Sequence, residues 1–342
     1  VHLTLLVPEL IWPEPADQFT LGKLSVPGLE WLLARARFEH GPRRAFEHSL
    51  ATCLGLDTTP FGALRLLGEG CSDARDGHWL CADPVHLRFH HERIVLADAG
   101  AFELSDDEAR QITASLNLEF PDIGRFHVAD ARRWYLRLHT PIEHRVDPLS
   151  SVAGRRIDDE LPKGDSTLTR WLNEVQMFLH GHPVNNQRQA EGKPIINSLW
   201  LWGGGELPTS VNKRFSGVWS SNPLAAGLAQ AGTIPLHAVP GKLEEFLPQA
   251  GDKPLVVLDA LLPRVLYEDG EGWRNTIEQL DADWFAPLGK ALGSRIQSIE
   301  LIAPTIFGEL RYTLRASDRW KFWKRARALP AITQQLAEQA HP

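Results

Sequence analysis

Ile195-Ile196-Asn197-Ser198-Leu199-Trp200-Leu201-Trp202 runs without a charge into Gly203-Gly204-Gly205, and Pro208 follows. The run is short, aliphatic and aromatic, which reads as a buried strand rather than a helix. The glycines end it in a turn where backbone can approach another group closely.

Outward from this strand the chain alternates. Leu3 to Val7 is a short apolar run, the expected first strand. Pro27 to Ala36 places a proline at a helix start ahead of a helical apolar face. Leu80 to Ile94 reads as extended or hairpin structure. Ser105 followed by Glu108 is a capping box for a helix to about Leu118. Arg170 to His180 is a second clear helix, stopped by Gly181 and Pro183. Leu199–Trp202, Ile234–Ala238, Leu255–Leu258 and Ile299–Ile302 read as buried strands with helices between them. That alternation predicts an α/β fold with a mainly parallel sheet and helices on both faces.

The chain has 342 residues, 43% of them hydrophobic, enough for a large core or two domains. A net charge of −7 argues against bulk attraction to nucleic acid or an anionic membrane. No apolar run reaches membrane-spanning length. Leu3–Val7 lacks the basic leader and length of a signal-peptide core, so a cytoplasmic protein is expected. Cys53, Cys71 and Cys81 show no CxxC spacing and read as reduced thiols. Twelve tryptophans serve a core, and tryptophan also anchors interfaces.

Several stretches, in order, resemble one family. Val26-Pro27-Gly28-Leu29-Glu30-Trp31-Leu32 is similar to the Thr-Pro-x-Leu-Asp-x-Leu entry to the first helix of the alkaline phosphatase superfamily. Leu54-Gly55-Leu56-Asp57 resembles the Leu-Gly-Tyr-Asp of archaeal-type cofactor-independent phosphoglycerate mutases. The glycine stretch resembles their strand ending in Gly-Ala-Gly, and Pro223–Gly232 their small-residue helix. Ile277-Glu278-Gln279-Leu280-Asp281 resembles Ile-Glu-x-Ile-Asp of their late helix. A closer likeness is to proteobacterial phosphoglycerate-mutase-like regulators of pathogenicity-factor expression. They share stretches similar to Ala82–His86 and Asn197–Gly203. The resemblance implies an alkaline-phosphatase-like three-layer sandwich with an inserted smaller domain. The core is expected over residues 1–70 plus 195–342, and a cap-like insertion over 71–194.

The family's chemistry uses two divalent metals and a serine that takes and returns a phosphoryl group, the metals polarising oxygens and activating the nucleophile. Where its first strand ends in Asp-Gly, this chain has Val7-Pro8-Glu9. Counting back from Gly55 by the family's spacing gives Phe46 and Glu47 in place of Ser-Asp, with Ser49 one helical turn on. The stretch Leu258–Gly270, where the family has several His and Asp ligands, contains no His. Leu301-Ile302-Ala303-Pro304-Thr305 stands in place of a final Asp-His pair. Glu9 and Ser49 are the remaining catalytic candidates. No metal site and no cofactor are expected; the alternative is Mn, Mg or Zn on substitute ligands.

Three other clusters are candidates for binding. Asp83, His86 and Arg88, with His90 and His91 beyond them, fit an anion or a metal, or else a polar strand face. His180, His182, Asn185 and Arg188 cluster at a helix end, where His180 as a helix C-terminal cation and Asn185 as a cap are the ordinary readings. Gly203–Gly205 offers N–H groups to an anion, or simply a tight turn. Finally, Arg311 to Arg327 interleaves cations with Trp320, Phe322 and Trp323. On a helix Arg315, Arg319 and Trp323 line up, predicting a contact for a protein partner or a second copy. The alternative is a strut packed on its own domain. No nucleophile elbow, P-loop or dinucleotide fingerprint is present.

The sequence thus predicts a phosphoglycerate-mutase-like scaffold with a non-catalytic regulatory or interaction role. The alternatives are an active phosphoglycerate mutase or phosphohydrolase, or a module for a small phosphorylated ligand. Neither membrane nor nucleic acid is expected as a partner.

Overall fold

The computed structural model of the chain describes residues 1–57, 60–90, 93–153, 167–209 and 211–340. Twelve strands follow in chain order among them: β1 (His2–Leu6), β2 (Arg37–Gly41), β3 (His78–His90), β4 (Arg93–Asp98), β5 (Gly124–Asp130), β6 (Arg133–Leu138), β7 (Ser198–Gly205), β8 (Gly217–Trp219), β9 (Leu236–His237), β10 (Pro254–Val257), β11 (Ser298–Thr305) and β12 (Gly308–Arg315). They divide between two compact units, Val1–Gly55 with Asn212–Pro342, and Leu56–Val211.

The first unit is built on a sheet ordered β2-β12-β11-β1-β10-β8-β9. β11, β1, β10, β8 and β9 run parallel, and β12 and β2 are antiparallel additions. β1 sits at the centre, with Leu5 opposite both Val256 and Leu301. Central parallel strands are covered on both faces, which is why Leu5 and Leu6 are both buried. β11 starts differently: Ile299 and Leu301 are buried while Ser298 and Glu300 are half-buried, so this part of the sheet has one apolar and one polar face. The apolar side joins Leu3, Leu5, Leu310 and Leu314 to Trp273, Trp284 and Phe285 in one core.

Two of the family-like motifs meet in this unit. Helix Pro27–Arg35 has no side-chain cap of its own. The buried Asp281 carboxylate accepts from Gly28 N–H (3.1 Å) and Leu29 N–H (2.5 Å), answering its free first-turn donors. Glu278 accepts from Ser25 N–H at 3.0 Å. Asp281 opens a π turn, Asp281–Phe285, set into the late helix.

The second unit carries an antiparallel sheet ordered β4-β3-β6-β5, with β7 paired to β3. Helices Asp106–Glu119, Thr167–His180 and Pro183–Ala190 bury Ile112, Leu116, Trp171, Val175, Leu179 and Val184 against it. Ser105 and Glu108 make both bonds of the expected capping box.

The deciding stretch is therefore a strand, but in the other sheet. It pairs with β3, Leu201 opposite Ala82 and Leu199 opposite Pro84, rather than extending the parallel sheet. The inserted unit accordingly runs from Leu56 to Val211, longer than 71–194. The glycines lie inside the strand. Gly203 has φ +65°, and a Cβ there would stand 2.7 Å from Phe61 Cβ, so they admit helix Phe61–Gly68 against the sheet. Ile234–Ala238 yields only the two-residue β9, exposed at the sheet edge. Cys53, Cys71 and Cys81 are free thiols, and burial pushes Cys53 up to about 12. Among the described residues no helix is long and apolar enough to cross a membrane.

Candidate functional site

The carboxyl ends of parallel strands are where open α/β sheets place their ligands, and four positions there carry the sequence-level candidates. β1 gives way to Val7-Pro8-Glu9. Glu9 is buried with φ +56°, a conformation costly for a residue with a Cβ. Its N–H donates to Pro304 O at 2.9 Å, and its carbonyl accepts from Trp273 Nε1 at 2.9 Å, which fixes the turn.

After β10, Asp259 accepts from Asn222 Nδ2 at 3.1 Å. Asn222 also caps helix Pro223–Ala231 through its Oδ1. Burial raises the Asp259 carboxyl above its usual range, the Asn222 bond offsetting only part of that effect. After β11, Thr305 Oγ1 donates to Gly308 O at 2.9 Å and accepts from Phe307 N–H at 3.1 Å, closing the turn into β12.

The fourth position is the start of helix Phe46–Cys53. Phe46 is its first residue and is buried. Ser49, one turn in, is buried and donates from Oγ to Glu309 Oε2 at 2.6 Å. Glu309 is also held by Arg311, which pairs in turn with Glu300. Ser49 is thus tied to a carboxylate that shares Arg311 with Glu300.

The candidates of the second unit are spent on its own architecture. Asp83 is buried and takes a two-pronged ion pair from Arg65, Nη2–Oδ1 2.6 Å and Nη1–Oδ2 3.0 Å, plus a bond from Trp202 Nε1 at 2.9 Å. Burial works against the Arg65 charge, but Asp83 more than offsets it and holds the guanidinium well above its ordinary range. His86 Nδ1 lies 2.8 Å from Ile195 O. Arg88 is exposed, and His90 closes β3. His91 lies outside the described residues.

His180 ends its helix, exposed. His182, not Asn185, is the cap of helix Pro183–Ala190, its Nδ1 accepting from Val184 N–H at 3.2 Å. Burial lowers its pKa. Asn185 bonds Leu179 O, Ile196 O and Ile196 N–H. Arg188 bonds Glu108, Glu103 O and Pro194 O. His182, Asn185 and Arg188 therefore tie two helices to neighbouring backbone, and their donors already have partners.

The C-terminal basic stretch is not one helix. Arg311 and Arg315 lie on β12, Ala316–Trp320 is a 3₁₀ turn, and regular helix resumes only at Leu329. Antiparallel pairing with β11 overrides the helical spacing, so Arg315, Arg319 and Trp323 do not share a helical face. Trp320, Phe322 and Trp323 are nonetheless 57%, 71% and 74% exposed. Arg319 stacks over Trp320 at 4.7 Å and donates to Leu292 O.

Sequence reasoning missed Glu309, and it named Asp281 and Asp83 without their partners, the Gly28 and Leu29 N–H groups and Arg65. Each depends on partners that only the folded chain brings together.

No protein-family model matches the chain. It is 28% identical over 224 residues to the 2,3-bisphosphoglycerate-independent phosphoglycerate mutase of Methanosarcina mazei, covering 58% of this chain and 55% of that protein. It is 33% identical over 137 residues to the enzyme of that name from Methanosarcina acetivorans, covering 38% and 34%. The chain thus spans about half, or less, of the length of these curated relatives. The PH0037 protein from Pyrococcus horikoshii shares the fold, with a TM-score of 0.55 over 99% of this chain and 96% of that one, at 15% identity. The chain is similar to 2,3-bisphosphoglycerate-independent phosphoglycerate mutases, mainly archaeal.

That similarity overturns the expectation of no cofactor, because the class it points to is metal-dependent, on Mn or Mg. Bound metals there would polarise phosphoryl oxygens. The side chains at hand do not fit such a centre: among the described residues no three His, Cys, Asp or Glu converge as ligands.

Proposed function

We propose that this phosphoglycerate-mutase-like chain acts as a regulatory or interaction protein rather than by phosphoryl transfer. The observation that carries this reading is at helix Phe46–Cys53. A buried phenylalanine begins the helix at the nucleophile's register. The nearby Ser49 has its hydroxyl engaged by Glu309, at 2.6 Å. A serine nucleophile needs a base to take its proton and an open path to phosphorus. Here the oxygen is buried and its carboxylate acceptor is paired with Arg311.

The interaction half of the reading is supported by the segment after β12. Three large aromatics stand in solvent among Lys321, Lys324, Arg325 and Arg327. Exposed aromatic patches ringed by charge mark contact sites. A cation-rich patch repels its own copy, so the partner that fits it is an acidic protein surface.

The test of the first half is a coupled assay of 3-phosphoglycerate interconversion with Mn or Mg supplied. The expected rate is the background rate, unchanged in Ser49→Ala. Turnover that disappears in Ser49→Ala would refute the reading and restore an enzyme.

A further inference from the structure

The polar face of the first unit's sheet carries a cavity toward the amino-terminal half of β1 and β11, adjoining the Arg311–Glu300 pair described above. His2, Thr4, Ser298, Glu300 and Arg311 floor a cavity of about 720 Å³. Pairing of His2 with Ser298 and of Thr4 with Glu300 sets these side chains side by side, while Leu3, Leu5, Ile299 and Leu301 turn into the core. The walls are the end of helix Phe46–Cys53, the segment Asn212–Phe215, and Lys253.

The charge of this lining is opposite to that of the chain. The whole sequence is at −7, yet the cavity has Lys213, Arg214, Lys253 and Arg311 against one carboxylate, Glu300. Arg311 is already answered by Glu300 and Glu309. Lys213, Arg214 and Lys253 form no ion pair among the described residues. Arg214 Nη1 rests 3.5 Å from Cys53 O, which holds the guanidinium at the wall. Three cations with no counter-charge fixed among the described residues are receptors for a dianion. The floor offers different chemistry: the Thr4 and Ser298 hydroxyls, His2 Nδ1 at 2.9 Å from Ser298 Oγ, and the Glu300 carboxylate. Such groups suit alcohols rather than apolar rings. The volume is that of a small-molecule site.

We propose that this cavity binds a phosphorylated polyol, its phosphate taken by Lys213, Arg214 and Lys253 and its hydroxyls by Thr4, Ser298 and Glu300. Calorimetric titration of the whole chain tests this, with glycerol 3-phosphate, ribose 5-phosphate and glucose 6-phosphate as probes. Glucose, inorganic phosphate and sodium chloride at matched ionic strength are the controls. At least one phosphate ester binds at millimolar Kd or tighter, at least tenfold more tightly than inorganic phosphate, and glucose gives no heat. Lys213→Ala with Lys253→Ala weakens the ester at least tenfold and leaves the melting temperature of the free protein unchanged, since both side chains are exposed. The proposal is overturned if none of the three esters binds, if inorganic phosphate binds as tightly as the best of them, or if the double variant keeps its affinity.

Discussion

Replacing Asp83 by Asn separates a structural role for the Arg65–Asp83 pair from a ligand-binding one. Asp83 is 1% exposed and Arg65 8%, and the pair continues through Arg65 Nε–Tyr135 Oη (2.8 Å) and Tyr135 Oη–Glu69 Oε1 (2.9 Å) to Arg133. The amide keeps the size of the carboxylate and one acceptor oxygen, so Trp202 Nε1 retains a partner. The Arg65 charge does not. Removing one member of a buried ion pair costs about 3–5 kcal/mol, and the retained acceptor places this change near the lower figure. At about 2–4 °C per kcal/mol for a unit of this size, the melting transition falls by roughly 6–12 °C. The urea midpoint drops by roughly 1–2 M for a slope near 2 kcal/mol/M. Far-UV circular dichroism and tryptophan fluorescence in urea read both. Arg65→Met combined with Asp83→Leu removes both charges and recovers part of the loss, since an apolar pair replaces a buried ionic one at little cost while Trp202 Nε1 is left without its acceptor. A midpoint for Asp83→Asn within error of the parent would refute the reasoning and return Asp83 to the ligand candidates.

Two further outcomes are expected. Because burial raises the Asp259 carboxyl in the folded state, its favourable contribution is full below the ordinary carboxyl range and is lost as pH rises through the folded value. Asp259→Asn is therefore more stable than the parent at pH 7, by about 0.5–1 kcal/mol, and the gap closes in melts run toward pH 4; a variant less stable at pH 7 would reverse that sign. Trp320→Ala with Trp323→Ala changes stability by no more than about 0.5 kcal/mol, as for exposed positions generally, yet weakens salt-sensitive binding of polyglutamate, followed by fluorescence anisotropy of the labelled peptide; equal binding by parent and variant would remove the aromatics from the contact.

What the sequence disclosed, it disclosed through local rules. The capping box at Ser105 follows from side chain–backbone bonds within a few residues, and the helix from Pro27 from a proline whose φ is already helical at its first position; both are present. The apolar strands β1, β10 and β11 are legible because the centre of a parallel sheet admits little else. Sheet membership was not legible: an uncharged run such as Leu199–Trp202 suits either sheet, and only its pairing with β3 decides. The Arg311–Trp323 spacing misled because helical periodicity also fits a strand followed by a 3₁₀ turn. Of the candidate site residues, Ser49 lies one turn into the helix that Phe46 begins. The partners of Ser49, Asp83 and Arg188 lie far along the chain, and no local signal names them.

The first unit is written in two pieces of chain with the whole second unit between them. β1 lies between β10 and β11, so its hydrogen bonds wait on residues beyond the insertion. Closing so long a loop is entropically slow, whereas the second unit is one continuous segment whose hairpins β3–β4 and β5–β6 close locally. That connectivity favours an order of assembly in which the continuous unit forms first and the parallel sheet follows. Until β10 and β11 are available, Leu3, Leu5 and Leu6 have no sheet to enter, and that interval is when the chain is most exposed to aggregation and proteolysis.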